Sequence, residues 1–348
     1  MKKRSANVDC ARFIAAMLIM AFHIYHLGIA EYPFHEAWIY VEFFLLITGY
    51  YTAKHYSKVN ANNRSKDAFQ YTIKKFLPLF PYTLIVTLCG WITQGVVGII
   101  YSGWTWKNFV INLMGDFTFD LLLISDTFTH PLVSPLWYVS AMLIVFPFFC
   151  LFVQIKNRYT KVLICIIYPL MYYGWIGVTG NREFPHDMLR VLAGMMLGLL
   201  LYEFSVIFEE HIRKVPIMVI TLIELLAFAY PIYCSYRNFA RSGFTTTRLY
   251  VLCFFISLLL CLPGFSYTER IKSNFLNYLG RLSMPIFIFH GYAATLVLLF
   301  GDKYGWEGNN RIAIYYAATI FVSIVLMFII EHLRKWNDFL KTDFNFID

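Results

Sequence analysis

Apolar stretches of membrane-spanning length follow one another along the chain. A helix needs about 20 predominantly apolar residues to cross the hydrocarbon core of a bilayer, and about ten such stretches occur. They cover residues 8–29, 37–53, 76–100, 135–154, 161–178, 187–208, 215–235, 248–263, 279–300 and 311–332. The sequence therefore predicts an all-α fold, a polytopic membrane helix bundle of about ten transmembrane helices.

The overall composition supports this class and excludes others. Hydrophobic residues make up 59% of the chain and charged residues 14%, whereas soluble domains carry about 25% charged residues. The net charge of +8 does not indicate a nucleic acid partner, because the basic residues are not concentrated on a soluble domain. Seven cysteines without a close-spaced pair indicate neither a disulfide framework nor a zinc site, so we expect no metal. We predict one membrane domain over residues 1–348, without an appended soluble domain.

Lys and Arg are concentrated in alternate segments between the apolar stretches, and cytoplasmic loops are enriched in these residues. A cytoplasmic amino terminus puts most of them on the cytoplasmic side. The densest group consists of Lys54, Lys58, Arg64, Lys66, Lys74 and Lys75. Such a group can bind an anionic cytosolic ligand or anionic membrane lipids, and the sequence leaves both open. We predict a multi-pass protein of the cell membrane with both termini in the cytoplasm.

Arg12 and His23 lie eleven positions apart inside the first apolar stretch. Eleven positions are about three helical turns, so both side chains fall on one stripe of a helix, about 16 Å apart along its axis. An ionisable residue inside a membrane span is costly and indicates a functional site. The alternative is an Arg that reaches the headgroups with its charged end and a His that packs in the bundle.

Glu42 lies in the apolar run of the second stretch. In antiparallel neighbouring helices it would lie at about the depth of His23. A carboxylate there could hold one tautomer of the imidazole or accept its proton. The alternative is a hydrated structural Glu at the outer interface.

Several short motifs occur in a fixed order along the chain. They comprise residues 9–15 with Arg12, His23 at its spacing from Arg12, residues 41–49 with Glu42, 135–140 with Trp137, 190–194 with Arg190, and 279–290 with His290. In these motifs the chain resembles the acyltransferase-3 family of multi-spanning membrane acyltransferases. Thr48 replaces a Ser of the family pattern, and three further features depart from it. Lys75 and Pro78 stand where two Arg are usual, Ala141 and Met142 occupy a region where some members have a Glu, and we expect no soluble esterase-like domain after the membrane part.

The resemblance implies an O-acyltransferase with a coenzyme A thioester, acetyl-CoA or another acyl-CoA, as donor substrate and no permanently bound cofactor. The acyl group, expected to be acetyl, would move to a hydroxyl of a cell-surface glycan or a lipid-linked sugar. We expect His23 to act as general base or transient acyl carrier with Glu42 as its partner. Arg12, with Lys74 and Lys75, would hold the donor. The residues expected to bind substrate are Trp137, Ser140, Arg190 and His290.

Some assignments stay open at this point. His26 and His290 are rival bases, and Ser140, Thr48 and the Trp137 indole are candidate donors to an oxyanion. A transporter or flippase for a lipid-linked sugar would also use buried ionisable residues. No inverted repeat and no matched pair of Gly- or Pro-broken helices favours that alternative.

Overall fold

The computed structural model describes residues 5–59, 63–124, 132–179, 185–237 and 244–344. The structure is 83% helical, and no strand occurs among the described residues, so the predicted all-α class is confirmed. The α-helices are α1 Ala6–Phe22, α2 Tyr40–Tyr56, α3 Arg64–Phe76, α4 Phe80–Tyr101, α5 Trp106–Leu121, α6 Leu136–Val153, α7 Arg158–Thr179, α8 His186–Ile207, α9 Glu209–Ile212, α10 Ile217–Tyr236, α11 Phe244–Cys261, α12 Asn274–Tyr304 and α13 Gly308–Phe344.

Each of the ten predicted stretches falls on one of these helices, but the number that can span a membrane differs. Seven helices of the described chain are long and apolar enough to do so. They are Ala6–Leu27, Phe80–Ile100, Leu136–Val153, His186–Ile207, Ile217–Tyr236, Asn274–Tyr304 and Gly308–Arg334. Helix α2 has 17 residues and is therefore about 26 Å long, slightly less than the roughly 30 Å of hydrocarbon. The predicted count of about ten is therefore not confirmed.

The first predicted stretch is not one continuous α-helix. Helix α1 ends at Phe22, and a 3₁₀ helix continues over His23–Leu27 until Gly28 ends it with a positive φ of 74°. In a 3₁₀ helix residues i and i+3 lie directly above one another. The rings of His23 and His26 accordingly stack, with centroids 5.4 Å apart and planes 11° from parallel.

Helices α2 and α8 approach so closely that their backbones touch. A Cβ atom on Gly49 would lie 2.1 Å from the carbonyl oxygen of Met195, and one on Gly198 would lie 2.3 Å from that of Leu46. Small residues allow this spacing between membrane helices. The close approach brings Glu42 of α2 within reach of Arg190 of α8. Helix α1 packs along α12 in the same bundle, which brings His23 to His290.

Helix α3 lies before the membrane-length helix α4 and is amphipathic. Asn63 caps it by accepting a hydrogen bond from the backbone N–H of Lys66 at 3.1 Å. Its buried face consists of Ala68, Tyr71, Thr72 and Phe76 and packs on α6. Lys74 and Lys75 in its last turn are exposed.

Candidate active site

A cavity of about 320 Å³ lies where the end of α1 meets the beginnings of α2 and α8. We call it the His23 cavity. Its polar and aromatic lining consists of Phe22, His23, Tyr25, Trp38, Glu42, Trp137, Tyr172, Tyr173, His186, Asp187, Arg190, Thr247, Phe287 and His290. Five of the nine residues predicted for the site therefore line one cavity, although they come from five different segments of the chain.

Hydrogen bonds determine the tautomers of the two imidazoles in this cavity. Nδ1 of His290 lies 2.7 Å from the carbonyl oxygen of Phe287, and Nδ1 of His23 lies 2.9 Å from that of Ile19. A carbonyl oxygen only accepts, so both Nδ1 atoms carry the proton. Nε2 of the neutral His290 then accepts from Nδ1 of His23 at 3.2 Å. This pattern leaves the Nε2 lone pair of His23 able to accept a proton.

Glu42 forms a buried ion pair in the same cavity. Nε of Arg190 donates to its Oε1 at 2.6 Å, and the Tyr173 hydroxyl donates to its Oε2 at 2.6 Å. The side chains of Arg190 and Glu42 are only 10% and 1% exposed. We expected Glu42 to contact His23, but its described contacts are to Arg190 and Tyr173. Its role in positioning His23 therefore stays a prediction.

Two indole rings surround the guanidinium of Arg190. It lies 5.0 Å from the ring centroid of Trp38 and 5.4 Å from that of Trp137, within the range of cation–π attraction. Its Nη2 atom is buried and has no hydrogen-bond partner among the described residues. The site therefore holds one charge-compensated cation between two aromatic faces.

The three candidate oxyanion donors lie in different places. Trp137 lines the His23 cavity. Thr48 lines a second cavity and donates its hydroxyl to the carbonyl oxygen of Phe44 at 2.9 Å. Ser140 is fully buried in α6 and lines neither cavity.

The second cavity, of about 780 Å³, lies at the opposite end of α1 and α2. We call it the Arg12 cavity. The charged and imidazole side chains that line it are Asp9, Arg12, Lys54, His55, Lys58, Lys75 and Glu269. Arg12 lies 3.5 Å from Asp9, and its side chain is 29% exposed. Four cations and two carboxylates face this space, so it has an excess of positive charge.

Lys74 and Lys75, both predicted to hold the donor, are placed differently. Lys75 lines the Arg12 cavity, with its Nζ 5.2 Å from the ring centroid of Tyr71. Lys74 is exposed and does not line the cavity.

Burial raises the pKa of Tyr71 to about 12, so this residue remains a neutral phenol at physiological pH. Its ring stacks on His55 with centroids 4.2 Å apart.

Phe287 of α12 lines both cavities. Its ring packs edge-on against Tyr138 at 5.2 Å and lies 6.2 Å from the ring of Phe44, both of which line the Arg12 cavity. A cluster of three aromatic side chains therefore stands between the two spaces.

Several residues of the site were not found from the sequence. Trp38 precedes Glu42 by four positions, so the helical spacing could have placed both on one face. Tyr173 and Asp187 lie in or beside apolar runs without a local motif. Lys54 and Lys58 belong to the basic group, but nothing in their spacing distinguished them from Arg64 or Lys66.

Glu224 is a buried carboxylate, the kind of residue that a transporter would use, and it has a local structural partner. The hydroxyl of Thr268 donates to Glu224 at 2.9 Å and accepts from the side-chain amide of Asn7 at 2.8 Å. These bonds join α10, the segment before α12, and the beginning of α1.

A protein-family model matches most of the chain. The model of the acyltransferase-3 family, described as an acyltransferase domain, matches residues 5–332, nearly the whole chain. No curated protein and no solved structure matches the chain. The predicted resemblance is thereby confirmed. The chain belongs to the acyltransferase-3 family and is a multi-pass membrane acyltransferase.

Proposed function

We propose that the protein moves an acetyl group from acetyl-CoA to a hydroxyl of a cell-surface glycan or a lipid-linked sugar. The observation that carries the proposal is the pair of cavities at the two ends of α1. One has several cations, the other has an imidazole with a free lone pair, and Phe287 lines both. Coenzyme A is a long molecule with phosphates at one end and the thioester at the other, so its two ends match the two cavities.

The Arg12 cavity would hold the phosphates of the donor. Arg12, Lys54, Lys58 and Lys75 line it, and charge-assisted hydrogen bonds to phosphate oxygens are about twice as strong as neutral ones. Arg12 presents a planar fork that matches two phosphate oxygens, whereas a Lys contributes a point charge. We place this end of the bundle in the cytoplasm, where the donor is made, and both termini with it.

His23 would be the general base. Its Nε2 takes the proton of the acceptor hydroxyl while the hydroxyl oxygen attacks the carbonyl carbon of the thioester. The tetrahedral intermediate collapses, the C–S bond breaks, and the proton returns from Nε2 to the leaving thiolate. The products are the acyl ester and free coenzyme A, and His23 is again neutral.

The remaining lining of the His23 cavity suits a sugar. Trp38 and Trp137 offer aromatic faces to the C–H groups of a sugar ring. Asp187 can accept hydrogen bonds from hydroxyls, and Arg190 can donate them. Glu42 keeps Arg190 charge-compensated and fixed between the two indoles, so Arg190 binds the acceptor without a net buried charge.

The direct test is transfer of labelled acetyl by the purified protein in liposomes. Acetyl-CoA labelled in the acetyl group is supplied with candidate glycans, and both free thiol and labelled glycan are measured. We expect His23→Ala to abolish both signals, because it removes the base. His26→Ala is the matched control, since His26 lies one 3₁₀ turn away and does not line the cavity.

The outcomes separate the enzyme from the transporter. Release of thiol with labelled glycan supports the proposal. Movement of a lipid-linked sugar across the liposome membrane without thiol release would favour the flippase, and near-normal transfer by His23→Ala would refute the assigned base.

A further inference from the structure

We infer that His290 is the positioning residue for His23. Its Nε2 lone pair accepts the Nδ1 hydrogen of His23 and stabilises the positive charge that His23 acquires when it takes the proton of the acceptor. This inference rests on the proposed function, because it assumes that Nε2 of His23 accepts that proton.

The direction of the hydrogen bonds carries the inference. Nδ1 of His290 donates to the carbonyl oxygen of Phe287 at 2.7 Å, so Nε2 of the neutral ring has only its lone pair to offer. That lone pair lies 3.2 Å from Nδ1 of His23. A protonated Nε2 on His290 would require a lone pair on Nδ1 of His23, which would then face the lone pairs of the Ile19 carbonyl at 2.9 Å.

The positive charge that forms on the His23 ring explains why its Nδ1–H needs an acceptor besides the Ile19 carbonyl. When Nε2 of His23 takes a proton, its ring becomes a cation inside a membrane bundle, and an isolated charge there is costly. In many enzymes a carboxylate accepts from the Nδ1–H of the catalytic imidazole and stabilises that cation. Here both oxygens of Glu42 are engaged, with Arg190 at 2.6 Å and Tyr173 at 2.6 Å. The acceptors that the structure provides at Nδ1 are the Ile19 carbonyl and His290.

The surroundings of His290 keep its ring in this orientation. The residue is only 1% exposed and is anchored by its own backbone contact to Phe287. The centroids of the His23 and His290 rings are 4.6 Å apart. A fixed acceptor loses little entropy when the charge forms, which is the condition for electrostatic stabilisation by a preorganised group.

The test compares His290→Gln with His290→Met. The two side chains have nearly the same length and shape, but Gln has an amide oxygen that can replace the imidazole Nε2 as acceptor, and Met has no comparable one. We expect His290→Met to lower kcat about 10- to 100-fold, the usual effect of removing a hydrogen bond to a charged group. His290→Gln should lower kcat by less than about threefold. The KM for acetyl-CoA and the affinity for coenzyme A should stay unchanged in both.

Each result has a defined meaning. Equal losses in both variants would assign His290 a packing role and overturn the inference, as would full activity of His290→Met. A change in coenzyme A affinity without a change in kcat would also overturn it. Wild-type protein that releases no thiol from acetyl-CoA with any acceptor would refute the proposed function instead, so the two failures are distinguishable.

Discussion

Removal of one partner of the Glu42–Arg190 pair should destabilise the protein strongly, whereas removal of both should not. The pair has an Nε to Oε1 distance of 2.6 Å, with side chains that are 10% and 1% exposed. Loss of one member of a buried ion pair costs about 3–5 kcal/mol, because the other charge stays buried without compensation. Glu42→Leu leaves the guanidinium of Arg190 between two indoles, and Arg190→Met leaves the carboxylate with only the Tyr173 hydroxyl.

The double variant Glu42→Leu/Arg190→Met replaces the pair with two apolar side chains of similar volume. Such replacements are often neutral in stability. For a chain of this size, 3–5 kcal/mol corresponds to a decrease in unfolding temperature of roughly 4–7 °C. We expect each single variant to show a decrease of this size and the double variant to regain most of the loss. The double variant should nevertheless lack transfer activity, because it has no cation in the His23 cavity.

The measurement is thermal unfolding in detergent, followed by the reaction of newly exposed thiols with a fluorescent maleimide. All seven cysteines are free thiols in the structure, so they report on unfolding without reduction. Additive losses in the double variant would show that the two side chains do not interact, and would refute the assignment of the ion pair. Double-mutant cycles of this kind isolate the pair from other effects of each substitution.

Three further predictions concern the donor and the orientation. Arg12→Lys should weaken coenzyme A binding measured by titration, because it keeps the charge but loses the planar fork; equal affinities would assign Arg12 a structural role. Lys75→Ala should weaken the same binding more than Lys74→Ala, since Lys75 lines the Arg12 cavity and its neighbour does not; the reverse order would contradict the assignment of that cavity. Glu307→Cys should react with an impermeant maleimide added outside the cell and Asn157→Cys should not, because both positions are exposed and lie on opposite sides in the predicted topology. External labelling of Asn157→Cys would reverse the orientation.

Local patterns in the sequence were sufficient for the fold class and for part of the site. The apolar stretches predicted the helices because the hydrophobic length of a span is a property of consecutive residues. The spacing of Arg12 and His23 identified two positions that line the two cavities. The number of spans was not confirmed, because the apolar stretches on α2, α7 and α11 are not among the seven helices of the described chain that are long and apolar enough to span a membrane.

Contacts between distant residues could not be predicted in this way. Glu42 and Arg190 are 148 positions apart, and His23 and His290 are 267 positions apart. A single sequence contains no signal that pairs such residues, since the pairing depends on which helices pack together. For the same reason Glu42 was expected to contact the imidazole of His23, which lies at a similar depth in the predicted topology. In the structure, α8 approaches α2 closely at Gly49 and Gly198, and the guanidinium of Arg190 contacts Glu42.

The position of Phe287 between the two cavities bears on the electrical insulation of the membrane. The protein between the two cavities separates the two sides of the membrane. Moving one elementary charge across a membrane potential of 100 mV changes its energy by about 2.3 kcal/mol. The rings of Phe287, Tyr138 and Phe44 meet between the two cavities. In the proposed reaction the pantetheine arm has to pass these rings to bring the thioester to His23. The aromatic side chains that the donor has to pass are therefore the same ones that separate the two cavities.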